Sequence, residues 1–389
     1  MKLFANVYQG RKVFITGHTG FKGFWLTAWL LSLGADVTGY SLSVPTTPSG
    51  FEALGLKKRM RHVTGDVRDR ESLTGALNAY KPDIVFHMAA QALVRLSYDD
   101  PAFTFESNAL GTLNLLEAVR GCPSVQALVL ITSDKCYRND EWVWGYRETD
   151  HLGGKDPYSA SKACAEIIAH SYFHSFFGAD GSGPRAATVR AGNVIGGGDW
   201  AMNRIVPDCA RAYAAGRPVL IRSPWSTRPW QHVLEPLSGY LWLGACLLAE
   251  SMGHRLSALP CNRESFNFGP PADVNATVEE VVETLAGYWP GFTHSSERNT
   301  QPDKMESNLL KLCCDKALAH LNWRPTLFLE ESIAFTAEWY REYYNLRSTT
   351  EQPGQNGGQG KEALMHTFTV RQIVRYAEKA AEEGLIWTR

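Results

Sequence analysis

Along the first half of the chain, short apolar runs alternate with stretches of helical length, and this alternation narrows the possible folds more than any other feature. The runs lie at 12–16, 36–40, 83–90, 128–131 and 187–191; helical spacing follows at 24–33, 70–80, 103–119 and 158–177. A run of about four to eight residues that is apolar on both faces suits a strand buried in a parallel sheet. Parallel strands need crossover helices to join them. The order therefore predicts an α/β fold, a Rossmann-like doubly wound parallel sheet. After residue 191 the regularity loosens. Helices read at 205–215, 234–249, 278–288 and 329–344, short strands at 218–221 and 266–269, and a loop at 228–233. This half predicts a smaller α/β substrate domain. Residues 349–360, rich in glycine and glutamine, read as a linker, and 370–383 as a helical tail that docks back.

The first strand breaks into Gly17-His18-Thr19-Gly20-Phe21-Lys22-Gly23 just before the first helix. In such a turn Gly17 permits the sharp reversal, Gly20 lets backbone approach a pyrophosphate, and Gly23 lets the helix pack on the strand. The helix N-terminus then presents its free amides to the anion. Dinucleotide binding is the function this predicts. His18 and Lys22 either touch the pyrophosphate or sit on a solvated loop face. The second strand ends in Ser41, where many such folds carry a ribose-binding acid, and no Arg or Lys occurs between residues 37 and 56. With no cation there for a 2′-phosphate, NAD is expected rather than NADP.

The strand at 128–131 runs directly into Thr132, Ser133, Asp134 and Lys135. In an open α/β sheet this carboxyl end is where ligands bind. Tyr158 and Lys162 are four apart in a helical stretch, so they share one face. A hydroxyl, a carboxylate, a phenol and an amine are thus expected to converge on one small molecule. Between them, residues 138–152 carry Trp142, Trp144 and Tyr146 among polar residues. That loop reads either as a pocket wall or as a loop packed on its own aromatics.

Charge and composition remove other classes. Lys plus Arg number 39 against 40 Asp plus Glu, so the basic excess of a nucleic-acid or membrane-surface binder is missing. The eight cysteines include no Cys-x-x-Cys pair, so no metal site is expected and the thiols suit a reducing compartment. The N-terminus lacks a signal-peptide pattern, and no run reaches the ~18 apolar residues of a membrane span. A cytoplasmic protein with no nucleic-acid or membrane partner is expected.

Taken together, the glycine turn, His87-Met88-Ala89-Ala90-Gln91, Thr132-Ser133-Asp134-Lys135-Cys136-Tyr137, Trp144-Gly145-Tyr146-Arg147-Glu148, Asp156-Pro157-Tyr158-Ser159-Ala160-Ser161-Lys162, Arg190-Ala191-Gly192-Asn193-Val194-Ile195-Gly196-Gly197-Gly198-Asp199-Trp200 and Arg228-Pro229-Trp230-Gln231-His232-Val233 resemble the extended short-chain dehydrogenase/reductase family. The resemblance covers about residues 10–345, and within the family it is greatest to the branch of 4,6-dehydratases acting on CDP-glucose. It implies an NAD-binding domain over 1–190 with 233–262 returning to it, a nucleotide-sugar domain over 191–345, and a linker and helical tail over 346–389. A homodimer through the helices near 103–119 and 158–176 is also implied, as is a role in deoxysugar synthesis for surface polysaccharides.

The resemblance further implies roles for residues. Hydride leaves sugar C4 for NAD⁺, water is eliminated across C5–C6, and the hydride returns to C6. Tyr158 takes the C4 hydroxyl proton, helped by the Lys162 ammonium, which lowers a phenol's pKa. Ser133 steadies the C4 oxygen, and protonated Asp134 gives its proton to the departing C6 hydroxyl. Relatives acting on dTDP-glucose carry Asp-Glu where this chain has Asp134-Lys135, so Lys135 is expected to take the C5 proton or to position the group that does. The cofactor residues implied are Gly17, His18, Gly20, Phe21, Lys22, Gly23, Asp66, Val67, Ala89, Ala90, Asn108, Tyr158 and Lys162. The substrate residues implied are Gln91, Asn193, Arg204, Arg228, His232 and Asn267. A nucleotide-sugar 4-epimerase shares the Tyr, Lys and NAD but needs no acid at C6. A non-catalytic NAD-sensing scaffold would not need Ser133, Tyr158 and Lys162 together.

Overall fold

A computed structural model describes residues 2–177, 183–221, 223–271, 274–296, 309–348 and 358–389. Seven parallel strands form one sheet. They are β1 (Lys12–Thr16), β2 (Asp36–Ser41), β3 (Arg61–Thr64), β4 (Ile84–His87), β5 (Ala127–Ile131), β6 (Arg185–Ala191) and β7 (Ser265–Phe268), in the order β7-β6-β5-β4-β1-β2-β3. Every residue of β4 and β5 is buried, as a central strand covered by helices on both faces requires. The strand order reverses between β1 and β4, where Thr16 pairs with both Tyr40 and His87. Such a switch point opens a crevice at the carboxyl ends of the strands. The expected doubly wound sheet is present.

Two cores clamp it. On one face α1 (Phe21–Ser32) buries Phe24, Trp25 and Trp29 against Leu237 and Leu241 of α5 (Leu234–Ser251). On the other, α2 (Arg70–Tyr80), α3 (Gly111–Arg120) and α4 (Pro157–Ser175) bury Leu73, Leu115 and Phe173 over Phe14 and Leu128. The α4 helix begins where the sequence indicates: Asp156 caps it by accepting from Ser159 N, and Pro157 occupies its first turn, where a missing N–H costs nothing. Helix α5 packs against β5 and β6 and so belongs with the sheet.

Several elements differ from expectation. The helix expected over 103–119 is present but not uniformly α: Pro101–Phe105 continues through a π-helical turn at Glu106–Leu110 into α3. The 228–233 loop contains two short strands. Thr227–Arg228 pairs antiparallel with Ala276–Thr277, and Gln231–His232 pairs parallel with Val194–Ile195. A helix at Asp315–Leu321 was not foreseen.

Of the expected linker, residues 349–357 lie outside the described residues, and 358–360 already belong to a helix. That helix, α7 (Gly358–Glu382), packs on α1 and on α6 (Leu329–Ser348). It buries Met365, Ile373 and Tyr376 in the larger core. Beyond it Trp387 stacks on Phe4 at 5.3 Å and on Tyr376 at 5.7 Å. The tail is therefore part of the core rather than an appendage. Among the described residues no helix is long and apolar enough to cross a membrane, and no group of three or more metal-ligating side chains occurs.

Candidate active site

The glycine turn is built by close approach. Gly17 has φ +77°, and a Cβ there would lie 2.6 Å from Ala89 N at the end of β4. A Cβ on Gly23 would sit 2.2 Å from Gly17 O, so strand end and helix touch backbone to backbone. Gly20 is the N-cap of α1 and makes no side-chain cap, leaving the helix's first amides open. A Cβ on Gly20 would meet only Gly17 O, at 3.3 Å. These residues fit a dinucleotide: an uncapped helix N-terminus lies under a surface that no side chain fills. Phe21 and Ala89 and Ala90 lie half-buried along the same crevice. Asp66 binds Arg68 through both carboxylate oxygens, and Val67 is buried in the smaller core.

His18 does not face that crevice. It is fully buried, with Nδ1 2.8 Å from Ser41 Oγ and Nε2 2.7 Å from His62 Nδ1. Its ring fills the space that a side chain on Gly39 would take, since a Cβ there would be 2.2 Å away. Burial, reinforced by His62, lowers its pKa to about 3, so it is a neutral structural group and not a pyrophosphate contact.

At the end of β5 the backbone turns into a single 3₁₀ turn, Asp134–Cys136, capped by Ser133. Ser133 and Asp134 are both buried, and Ser133 Oγ donates to Asp134 Oδ1 at 2.9 Å. Tyr158 and Lys162 lie one turn apart on α4, and both are buried. The phenol faces Ser133 as a hydrogen-bond partner and feels the charges of Asp134 and Arg204. Lys22, from the first turn of α1, reaches the same place: its Nζ donates to Tyr240 OH at 3.4 Å, and Asp134, Arg204 and Lys162 surround it. Ser133, Asp134, Tyr158, Lys162, Lys22 and Arg204 therefore converge.

The electrostatics differ from the expected picture in one respect. Burial raises Tyr158 to about 12, and the pull of Ser133 and Arg204 does not offset it; Lys162 exerts no resolved effect on the phenol. Burial lowers both Lys162 and Lys22 to about 8. Lys135 is half-exposed, and its side chain makes no hydrogen bond or ion pair among the described residues. The lysine that shares the electrostatic surroundings of Lys162 is Lys22, not Lys135.

Four of the expected site residues have their side chains buried among protein neighbours. Asn267 is fully buried, donates to Tyr146 O and Cys313 O, and accepts from Tyr137 OH, so its amide is spent within the protein. His232 is fully buried between Trp25 and Phe335; its Nδ1 accepts from Leu234 N, its Nε2 has no hydrogen-bond partner, and burial lowers its pKa to about 3. Gln91 spends its side chain on Leu93 and Thr104. Asn108, in the π turn, accepts from Gln91 N and donates to Gln91 O and Ser161 Oγ; it braces α4 and the β4 loop and does not face the cofactor crevice. Asn193 remains half-buried beside Gly192, where a Cβ would lie 3.1 Å from Asp134 Oδ2. Arg204 binds Asp199 Oδ2 at 3.0 Å while reaching the site, and Arg228 lies half-buried on its short strand.

Tyr240 was missed. It sits in the apolar helix α5 at core spacing, and only the fold reveals that its hydroxyl meets Lys22 and faces Asp134 and Tyr158. The aromatic loop fulfils both of its readings. Trp142 stacks on Tyr146 at 5.0 Å, and Trp142 and Trp144 wall a cavity of about 620 Å³ with Pro270, Pro271 and Leu312. None of Ser133, Tyr158 and Lys162 lines that cavity.

Residues 14–233 match the sequence profile described as GDP-mannose 4,6 dehydratase. The chain is 47% identical over 341 residues to the CDP-glucose 4,6-dehydratase of Salmonella typhimurium, a match spanning 87% of this chain and 92% of that protein. It is 26% identical to a UDP-glucose 4-epimerase of Mycolicibacterium smegmatis, over 85% of this chain and 98% of that one. Among solved structures, a dTDP-glucose 4,6-dehydratase from Streptomyces venezuelae, crystallised with NAD, superposes with TM-score 0.67 at 22% identity, covering 85% of this chain and 97% of that one. A UDP-glucose 4-epimerase from Thermotoga maritima superposes with TM-score 0.69 at 22% identity, over 85% and 99%. The chain belongs to the extended short-chain dehydrogenase/reductase family of nucleotide-sugar dehydratases and epimerases.

Proposed function

We propose that this chain is an NAD-dependent nucleotide-sugar 4,6-dehydratase that converts CDP-glucose to CDP-4-keto-6-deoxyglucose and water. The observation that carries this reading is the buried Ser133–Asp134 pair set against the Tyr158 phenol. Oxidation at C4 needs a base and a group to steady the C4 oxygen; elimination needs in addition a proton donor for the leaving hydroxyl. A 4-epimerase has no use for that third group. The 47% identity to a CDP-glucose 4,6-dehydratase across 92% of its length supports the choice of base and sugar.

Tyr158 takes the C4 hydroxyl proton, and Ser133 donates a hydrogen bond to the C4 oxygen as charge develops on it. NAD, when bound, supplies the acceptor and later the donor of one hydride. Lys162, buried one turn from Tyr158, holds the nicotinamide ribose. Lys135, the residue after Asp134, takes the proton from C5 or positions the group that does. Asp134 gives its proton to the C6 hydroxyl, which leaves as water while the C5–C6 double bond forms. Arg204 and Arg228, with Asn193, hold the diphosphate side; a guanidinium matches phosphate by forked hydrogen bonds. A homodimer forms through the helical segments near 103–119 and 158–176, where Leu110 and Ile167 are 50% and 59% exposed.

The test is incubation of the purified protein with CDP-glucose and NAD, followed by the alkaline chromophore of a 4-keto sugar and by product mass. Loss of one water with retention of the CDP group is expected. Silence with CDP-, dTDP-, GDP- and UDP-sugars alike refutes the reading. Conversion without loss of water identifies an epimerase.

A further inference from the structure

Behind the strand end lies a second group of charges that the reaction does not use. Glu166 stands four residues beyond Lys162 on α4 and is 2% exposed; Arg190, on β6, is 3% exposed. Arg190 Nε donates to Glu166 Oε1 at 2.9 Å and its NH2 to Oε2 at 2.8 Å, a forked pair. Thr132, the residue before Ser133, donates to Glu166 Oε1, and the Thr188 hydroxyl lies 2.9 Å from Oε2. The remaining guanidinium nitrogen donates to Tyr137 OH at 2.7 Å and to Glu148 O. One carboxylate thus ties the helix carrying Tyr158 and Lys162 to both strands whose ends form the site.

We propose that the buried Glu166–Arg190 pair is a positioning device that sets the net charge behind the Lys162 ammonium while locking α4 to the Ser133 strand end. The proposal rests on the reading of Lys162 as an active-site cation. A buried pair is poor evidence for stability, because desolvation offsets most of its attraction, and an apolar pair of similar volume serves a core as well or better. Its distinctive property here is placement. Residues four apart on a helix are neighbours, and the Glu166 charge supports the Lys162 ammonium while the Arg190 guanidinium holds both carboxylate oxygens.

Around Lys162 the other ionisable groups are Cys136 and Asp134 on the 3₁₀ turn, His87 on β4, Lys22 on α1, Arg204 before the helix at Ile205–Ala214, and Tyr158 one turn earlier on its own helix. Cys136 is buried with its thiol pushed up, and burial holds His87 neutral near a pKa of about 3. Lys22 is a like charge. Asp134 is the proton donor of the proposed reaction, and Glu166 is the carboxylate whose charge supports the ammonium. Burial pushes its carboxyl up, but Arg190 and the Thr132 and Thr188 hydrogen bonds outweigh burial and hold it ionised.

Removing one member of the pair therefore moves Lys162 in a direction set by which charge is left. In Glu166→Gln the amine loses its supporting anion and faces an uncompensated Arg190, so its pKa falls, by about one unit or more at an effective dielectric near 20. In Arg190→Gln the uncompensated carboxylate raises it. In the double variant Glu166→Gln/Arg190→Gln both charges vanish and Lys162 returns toward its starting value. Arg190→Lys keeps the charge and is expected to preserve the profile even where the fork is lost.

The readout is twofold: the alkaline limb of kcat/KM against pH, and competitive acylation of Lys162 measured by peptide mass spectrometry over the same pH range. Acylation reports the amine directly and requires no turnover, so it separates failure of this inference from failure of the dehydratase reading. Opposite shifts in the single variants, with recovery in the double, are expected. Shifts of the same sign, or no shift in any variant, overturn the proposal. If one single variant does not fold, the other still decides it: a Lys162 acylation midpoint that matches the wild type there, or moves opposite to the stated direction, overturns the proposal.

Discussion

Replacing Glu235 by glutamine should flatten the pH dependence of stability between about pH 4.5 and 7. Glu235 opens helix α5 immediately after the strand that pairs with Val194–Ile195, and it is 1% exposed. Its Oε1 accepts from Leu327 N at 2.6 Å, and Oε2 accepts from Thr326 N at 3.0 Å and from Tyr376 OH at 2.9 Å. Burial raises its pKa from 4.5 to about 7 against the pull of those donors. Below about 4.5 the folded and unfolded chains both hold the proton, and the contribution is intact. Between 4.5 and about 7 the unfolded chain has released a proton that the folded chain keeps, so stability falls as pH rises. Above about 7 the full cost is in place, of order 3 kcal/mol at 1.36 kcal/mol per unit. For 389 residues at ~2.1 cal/mol/K each, that cost corresponds to roughly 4 °C in Tm.

Glutamine keeps an oxygen for the backbone donors, and its NH₂ can donate to the Tyr376 hydroxyl, which in turn donates to Ser238 Oγ, 3.1 Å away. The variant should match the wild type near pH 5 and melt roughly 4 °C higher at pH 8, measured by differential scanning fluorimetry across pH 5–8. Parallel Tm-versus-pH curves for the two proteins would refute the reasoning.

Other consequences are separable from this one. Asp134→Asn keeps the Ser133 hydrogen bond but removes the proton donor. Dehydration should fall by about 10²–10⁴ while C4 oxidation persists, seen as accumulating reduced-nicotinamide absorbance; an equal loss of both half-reactions counts against the acid role. Asn267→Ala removes three buried partners at about 1–3 kcal/mol each, so Tm should fall while KM for CDP-glucose holds; a raised KM at unchanged Tm would restore Asn267 as a substrate contact. Ile167→Glu puts a charge on the exposed face of α4 and should give a monomer by light scattering if the dimer forms there.

Within the site, legibility followed sequence distance. Ser133, Asp134, Tyr158 and Lys162 were readable because each pair lies within one strand end or one helical turn, where spacing sets direction. His18, Gln91, Asn108, His232 and Asn267 turn their side chains into the protein. A motif position shows that a polar residue is present, not whether the protein has already spent its hydrogen bonds. Asn267 meets Tyr137 and Tyr146 across 130 and 121 residues, a pairing that no local pattern records. The same holds for Tyr240, which reads as core because its helix is apolar all round.

By itself the sequence determined the doubly wound sheet, the glycine turn and the strand end with its Tyr–Lys helix. These follow from periodicity, from residues without side chains and from runs apolar on both faces, all of which act within a few residues. Tertiary structure alone decided which polar groups face the crevice and which are buried and paired, and it brought Lys22 and Arg204 to Asp134. It also placed the tail in the core, Tyr376 of its helix against Trp29 and Trp387 beyond it against Phe4. Burial is a property of the assembled molecule. The desolvation that raises Tyr158 and lowers Lys162 exists only once distant segments have closed over them.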